Sequence, residues 1–282
     1  MNGVKYNYMK ARLFRKVAVV TGAGSASDGI GTGQAISIAL AREGCSVLLV
    51  DIDSERASNT LSIIEAEGGS AQVFSGDITQ EPVAKDMISY AVTRFGGLDI
   101  LVNNLGVVFH GNVLTASEHD WEESYRLNVR SMIYSSKYAI PVMEQQKQGS
   151  IINLSSSLAL RAASQSLPLP YSVAKGAVIS LTTTMAVQHG KDGIRVNAIL
   201  PGLLRTPMAT KHLGQEALEL RRKSVPLQTQ GDAWDVAMAA VFFASDESKW
   251  ITGVVLPVDV GLLVTTPLSM LDSLDLTTDF SS

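Results

Sequence analysis

Residues 17–34 read VAVVTGAGSASDGIGTGQ, from Val17 to Gln34. A β-branched run, Val17-Ala18-Val19-Val20, stops at Thr21-Gly22-Ala23-Gly24. Glycines return at Gly29, Gly31 and Gly33, and a helix-like stretch runs from Gln34 to Glu43. Strand, glycine-rich turn and helix in that order open a parallel β-α-β unit, since a parallel neighbour is reached only through a crossover. Glycines in such a turn let the backbone bend sharply and approach a pyrophosphate, whose charge is stabilised by free amides and the helix dipole.

The alternation continues outward from this unit. Strands are expected at Ser46 to Val50, Ala71 to Phe74, Leu98 to Val102, Ser150 to Leu154, Ile194 to Leu200 and Gly253 to Val258. Helices are expected at Ser54 to Glu67 and around 81–95, 118–147, 171–189 and 232–245. Short parallel strands joined by helices predict an α/β fold, an open doubly wound sheet of about seven strands with helices on both faces. The division predicted is an N-terminal arm over 1–15, one domain over 16–265, and a tail over 266–282. A stretch at about 203–226, after Pro201-Gly202, reads either as a mobile helical flap over a site or as an ordinary surface helix.

Composition narrows the classes. With 46% hydrophobic, 18% charged and only 6% aromatic residues, the chain of 282 residues has the aliphatic excess of a parallel sheet covered on both sides. A net charge of -4 offers no basic stripe for a phosphate backbone, so nucleic acid is not expected as a partner and a small molecule is. The one cysteine, Cys45, reads as core packing; it makes no intramolecular disulfide or zinc cluster and fits a reducing, cytoplasmic setting. No apolar run approaches the roughly 20 residues that cross a bilayer, so no membrane is expected. Lys5, Lys10, Arg12, Arg15 and Lys16 without an acid resemble a mitochondrial presequence in composition, but the first strand follows at once; a loose or partner-packing arm is the favoured reading. His110, His119, His189 and His212 lack ligand spacing, and no metal is expected.

The second strand closes on Asp51, where a carboxylate can accept both hydroxyls of an adenosine ribose and repel a 2′-phosphate. Ile52 follows rather than an arginine, so the cofactor expected is NAD, not NADP. Capping the helix near Ser54 is the plainer role for Asp51.

Further motifs come in a fixed order: Asp77 after the third strand, Asn103-Asn104-Leu105-Gly106 after the fourth, Asn128 in a helix and Ser155-Ser156 after the fifth strand. Tyr171-Ser172-Val173-Ala174-Lys175, Pro201-Gly202 and Thr206-Pro207-Met208 follow. With the glycine-rich turn, this set resembles the short-chain dehydrogenase/reductase family from about Val17 to Leu262. The resemblance implies a single Rossmann-like domain and a homo-oligomer, dimer or tetramer. It implies cofactor contacts at Gly22, Ser25, Gly31, Thr32, Gly33, Asp51, Ile52, Asp77, Ile78, Asn104, Gly106, Tyr171, Lys175, Pro201, Gly202, Leu204 and Thr206. Asp77 as an adenine contact competes with Asp77 as a helix cap.

Tyr171 and Lys175 are four residues apart, on one face of a helix. A phenol with an unperturbed pKa of about 10 becomes a usable base beside an ammonium and a positive nicotinamide. Tyr171 would then be general base in oxidation and general acid in reduction. The resemblance gives Lys175 the nicotinamide ribose, Ser156 the substrate oxygen, and Asn128 a water linking Lys175 to solvent. At helical spacing alone, Tyr171 and Lys175 would be an ordinary surface pair.

The chain departs from the family in three places. Either Gly29-Ile30-Gly31 or Gly31-Thr32-Gly33 is the terminal glycine pair; helix spacing favours the second, which implies about five inserted residues and turns Asp28 away from the pyrophosphate. Leu105 replaces a customary alanine, at about 1–3 kcal/mol if the site is already full. Ser156 lies further than usual from Tyr171, with Pro168 and Pro170 between.

The expectation is NAD(H)-dependent interconversion of a secondary alcohol and a ketone. Leucines near Leu158–Pro170 and Leu203–Val225 point to a bulky apolar metabolite such as a terpenoid or steroid, although leucines also fill cores. The alternative is a catalytically silent scaffold that binds a dinucleotide or a partner.

Overall fold

The computed structural model describes residues 11–25, 29–162, 168–210, 213–266 and 268–274. Seven strands form one sheet: β1 (Val17–Thr21), β2 (Ser46–Asp51), β3 (Ser70–Ser75), β4 (Ile100–Asn103), β5 (Gly149–Leu154), β6 (Ile194–Pro201) and β7 (Val255–Val258). Their spatial order is β3-β2-β1-β4-β5-β6-β7, and every pairing is parallel. The helices are α1 (Thr32–Arg42), α2 (Ser54–Ala66), α3 (Glu81–Phe95), α4 (Glu118–Tyr125), α5 (Ser131–Gln146), α6 (Leu169–His189), α7 (Pro207–Thr210), α8 (Gln215–Lys223) and α9 (Ala233–Ala244).

Alternate residues of β1 serve different cores. Ala18 and Val20 face a layer containing Ile36, Leu40, Ile64 and Phe243, from α1, α2 and α9. Val19 faces Met87, Ala139, Met143 and Met185, from α3, α5 and α6. Burial on both faces explains why β1 reads as an unbroken apolar run.

Strand order reverses between β1 and β4, the place where open α/β sheets form a crevice beyond the strands' carboxyl ends. Here Thr21 Oγ1 accepts the amides of Asn104 (3.0 Å) and Leu105 (3.1 Å). Asn104 Nδ2 in turn donates to the carbonyls of Thr21 and Gly22, both at 3.0 Å. These bonds fix the two turns that flank the crevice.

Four details differ from the sequence reading. β4 starts at Ile100 and not at Leu98, whose amide donates to Gln146 Oε1 (3.0 Å) instead of to a strand. β7 is likewise shorter, starting at Val255 rather than Gly253. The helix expected over 118–147 is interrupted by a π-turn, Arg126–Arg130, between α4 and α5. Finally, the end of the arm is anchored. Leu13 is fully buried in the core, its amide donates to Glu43 O (2.9 Å), and Arg12 pairs with the Glu43 carboxylate at 2.6 Å.

After β7 the chain turns back against α8. Arg161 donates to Thr265 O, Gln228 Nε2 donates to Ser273 Oγ at 3.0 Å, and Met270 is buried between exposed neighbours and the fold. Residues 275–282 lie outside the described residues.

Candidate active site

The glycine-rich turn is built by close approach. Gly22 has φ +64°, and a β-carbon on Gly33 would lie 2.0 Å from Gly22 O, so only glycine lets α1 start against the end of β1. α1 begins at Thr32 with Gly31 as its N-cap, which places Gly31-Thr32-Gly33 at the helix start, as the favoured alignment expects. Ser25 Oγ donates to Gly29 O (2.8 Å). Asp28 falls outside the described residues. A β-carbon on Gly29 would lie 3.0 Å from Pro207 Cγ, so this glycine lies against the start of α7.

Asp51 ends β2 at the same rim. Its Oδ2 accepts the Gly24 amide (3.0 Å) and its Oδ1 the Asp53 amide (3.1 Å). The cap of α2 is Asp53, which accepts from Glu55 and Arg56, so the plainer role for Asp51 does not hold. Ile52 is exposed. Arg56 has its side-chain root against Gly24 and its Nε on Asp53 Oδ2 at 3.0 Å.

At the β3 end, Asp77 Oδ1 accepts both the amide (3.0 Å) and the hydroxyl (2.6 Å) of Thr79, and Oδ2 takes Arg126 Nη1 at 3.3 Å. Burial pushes this carboxyl up, but Thr79 and Arg126 outweigh it and hold it below its ordinary value. The N-cap of α3 is Gln80, not Asp77. Ile78 is buried in the core.

Ser156, Tyr171 and Lys175 converge beyond the end of β5. Ser156 leaves the strand in extended backbone, its Oγ accepts Leu158 N–H (3.2 Å), and it shares a hydrogen bond with Tyr171. Tyr171 and Lys175 lie one turn apart on α6, with the ammonium nitrogen 5.6 Å from the ring centre. Lys175 is buried at 2% exposure, and its Nζ donates to Leu154 O at 2.8 Å, leaving two N–H groups for other acceptors. Burial pushes Lys175 down to about 7 and raises the Tyr171 hydroxyl, an effect the Ser156 hydrogen bond partly offsets. A β-carbon on Gly106 would lie 3.0 Å from Lys175 Nζ and 3.1 Å from Asn128 Oδ1, so this glycine keeps open the space in front of the lysine.

Asn128 sits in the π-turn, fully buried, and its side chain is held by main-chain groups. Both amide hydrogens are used, on Val107 O (2.9 Å) and Ser124 O (3.0 Å), and Oδ1 accepts Val107 N–H (3.1 Å). The side chain clamps the segment next to Gly106; a water relay through it has one lone pair left.

Pro201 ends β6, and a β-carbon on Gly202 would lie 2.6 Å from Asp259 Cα. Leu204 is buried in the core, and Thr206, 8% exposed, opens α7 through its carbonyl. Leu105 is accommodated by packing against the core that contains Val19 and Ala139. Two features escaped the sequence reading: the π-turn, and Arg126 bridging to Asp77.

Away from this rim, His189, Glu144 and Asp192 bring ligand atoms within 4.8 Å of one another, on the side where β6 begins. His189 Nδ1 lies 3.4 Å from Glu144, and Lys147 Nζ lies 3.7 Å from Asp192. A cleft of about 470 Å³, lined by Lys16, Asp99, Arg195, Lys249 and Trp250, opens at that same end and holds none of the groups above.

An open doubly wound sheet with a Ser-Tyr-Lys cluster beside its glycine-rich crevice defines a class of oxidoreductase site. Comparison with known proteins agrees. Residues 24–263 match the family model described as enoyl-(acyl carrier protein) reductase. An uncharacterized oxidoreductase of Thermotoga maritima is 35% identical over 255 residues, 87% of this chain and 96% of that protein. The structure of a 7α-hydroxysteroid dehydrogenase with NADH and 7-oxo glycochenodeoxycholic acid aligns with TM-score 0.83 and 31% identity, over 89% of this chain and 96% of that one. A gluconate 5-dehydrogenase of Burkholderia cenocepacia, solved with NADP and tartrate, aligns with TM-score 0.83 and 27% identity, over 91% and 98%. The chain belongs to the short-chain dehydrogenase/reductase family of oxidoreductases.

Proposed function

We propose that this protein interconverts a secondary alcohol and a ketone with NAD(H), on a bulky, mainly apolar metabolite of the terpenoid or steroid kind. The observation that carries the reading is the cluster of Ser156, Tyr171 and Lys175 in front of Gly106. The crevice fits a dinucleotide, because the glycines keep clear the space that side chains would fill, and Lys175 keeps two N–H donors for ribose hydroxyls. Bound there, the nicotinamide supplies or accepts the hydride.

The chain's own residues handle the substrate oxygen and its proton. Ser156 donates a hydrogen bond to that oxygen and polarises the carbonyl. Tyr171 gives up its hydroxyl proton to the nascent alkoxide in reduction and takes the alcohol proton in oxidation. Lys175, as ammonium, lowers the cost of the phenolate one turn away. Asn128 holds Val107 and with it the wall beside Gly106.

The choice of NAD rests on Asp51, since solved relatives carry NADH in one case and NADP in the other. Its carboxylate accepts Gly24 and Asp53 amides and keeps further lone pairs for the ribose hydroxyls. A 2′-phosphate would meet that negative charge, and Arg56 is engaged by Asp53. The apolar substrate rests on the leucines around the site, among them exposed Leu160, and on the steroid relative.

A side-by-side fluorescence titration with NADH and NADPH tests the reading. We expect NADH to bind at least tenfold more tightly, about 1.4 kcal/mol. Preference for NADPH would overturn the role of Asp51, and binding of neither would overturn the enzyme reading.

A further inference from the structure

Arg126 is the first residue of the π-turn and stands two positions before Asn128. Its Nε and Nη2 grip the Glu123 carboxylate on α4 at 2.6 and 2.7 Å, a planar two-point contact that fixes the guanidinium plane. The remaining edge, Nη1, is thereby aimed across at the turn after β3, where it meets Asp77 Oδ2 at 3.3 Å and the Thr79 hydroxyl. The contact spans 49 residues and joins two elements that are not neighbours in the chain.

The Asp77 carboxylate that results is nearly but not fully occupied. A carboxylate has about four acceptor positions. Thr79 fills two on Oδ1 and Arg126 one on Oδ2, and about a third of the side chain stays exposed, at 32%. Asp77 also stands beside Asp51 on the rim, since the Gly76 amide donates to Asp51 O at 3.1 Å. One oriented acceptor next to a ribose-binding carboxylate matches the exocyclic amine of an adenine.

We infer that Arg126 is a positioning residue for the adenosine half of the dinucleotide, holding Asp77 so that its last lone pair points at the base. The inference rests on the dinucleotide reading above. An exposed ion pair by itself contributes little, but an arginine already immobilised by Glu123 fixes its second partner at small additional entropy cost. Without it, Asp77 Oδ2 swings between solvent and site, and the binding base must order it.

The test is calorimetric titration of the full-length protein with ADP-ribose, which lacks the nicotinamide, alongside titration with reduced nicotinamide mononucleotide, which lacks the adenosine. Arg126→Ala and Asp77→Asn are each expected to weaken ADP-ribose roughly five- to tenfold, the worth of one immobilised side chain. The double variant should be no worse than the weaker single one, and the mononucleotide should bind all variants as it binds the wild-type protein. Arg126→Gln keeps the size and a donor should the alanine variant not fold. Unchanged ADP-ribose affinity in the arginine variants, losses that add, or an equal loss for the mononucleotide would each overturn the inference while NADH binding to the wild-type protein leaves the dinucleotide reading standing. A wild-type protein that binds neither NADH nor ADP-ribose would sink both.

Discussion

Lys175 carries an ammonium into a region where burial alone accounts for its lowered pKa of about 7. In the unfolded chain a lysine titrates near 10.4. Between those values the unfolded state binds more protons, so the stability of the folded protein rises with pH through that window. Lys175→Met removes the buried charge and keeps the volume. The variant should be more stable than the wild-type protein at pH 6.5, by on the order of 2–4 kcal/mol, and the gap should close as pH approaches 10. Denaturant titrations across that range check it; a pH-independent gap would show that the ammonium is better solvated than its burial implies. Tyr171→Phe removes the hydroxyl that moves the proton and should lower turnover by two to four orders of magnitude while NADH affinity stays within a few-fold. With Tyr171 raised by burial, oxidation rates should climb with pH and reduction rates fall, since one needs the phenolate and the other the phenol. Rates moving together with pH would assign the proton to another group. These residues were legible because their types and order are distinctive. The work of Asn128 was not, because sequence shows that an amide is present and not which of its hydrogens main-chain carbonyls have taken.

At the scale of the element, the unit from β1 to α1 was readable because a glycine demanded by close approach leaves a mark in the sequence. Gly33→Ala would bring a β-carbon to 2.0 Å from Gly22 O, whereas at Gly31 the nearest atom, Ser25 Oγ, would be at 3.4 Å. Gly33→Ala should therefore destabilise by about 1–3 kcal/mol and abolish measurable NADH binding, with Gly31→Ala folding almost as well as the wild-type protein. Melting curves of the two variants, compared directly, decide it, and equal damage would mean that the turn relaxes. The π-turn left no such mark. One extra residue per turn hardly disturbs an apolar periodicity read over thirty positions, and nothing in Arg126–Arg130 breaks helix propensity. What creates it is tertiary, the clamp of Asn128 on Val107 and of Arg126 on the β3 end. The late start of β7 is tertiary too: Val254 N–H donates to Asn197 Oδ1 (3.0 Å) before the ladder with β6 begins at Val255.

Across the whole molecule, strand alternation was enough to predict a parallel, doubly covered sheet, because burial on both faces writes uninterrupted apolar runs. Contacts between segments far apart in the chain were beyond it. The return of residues 268–274 brings Ser273 to Gln228, a polar pair with no signature. The touch of Gly29 on Pro207 likewise joins positions that are distant in the sequence. That seam joins the rim of the crevice to the segment after β6. If the proposed dinucleotide and ketone lie on its two sides, the coupling between them is reciprocal: whatever factor by which one tightens the other must be returned in equal measure.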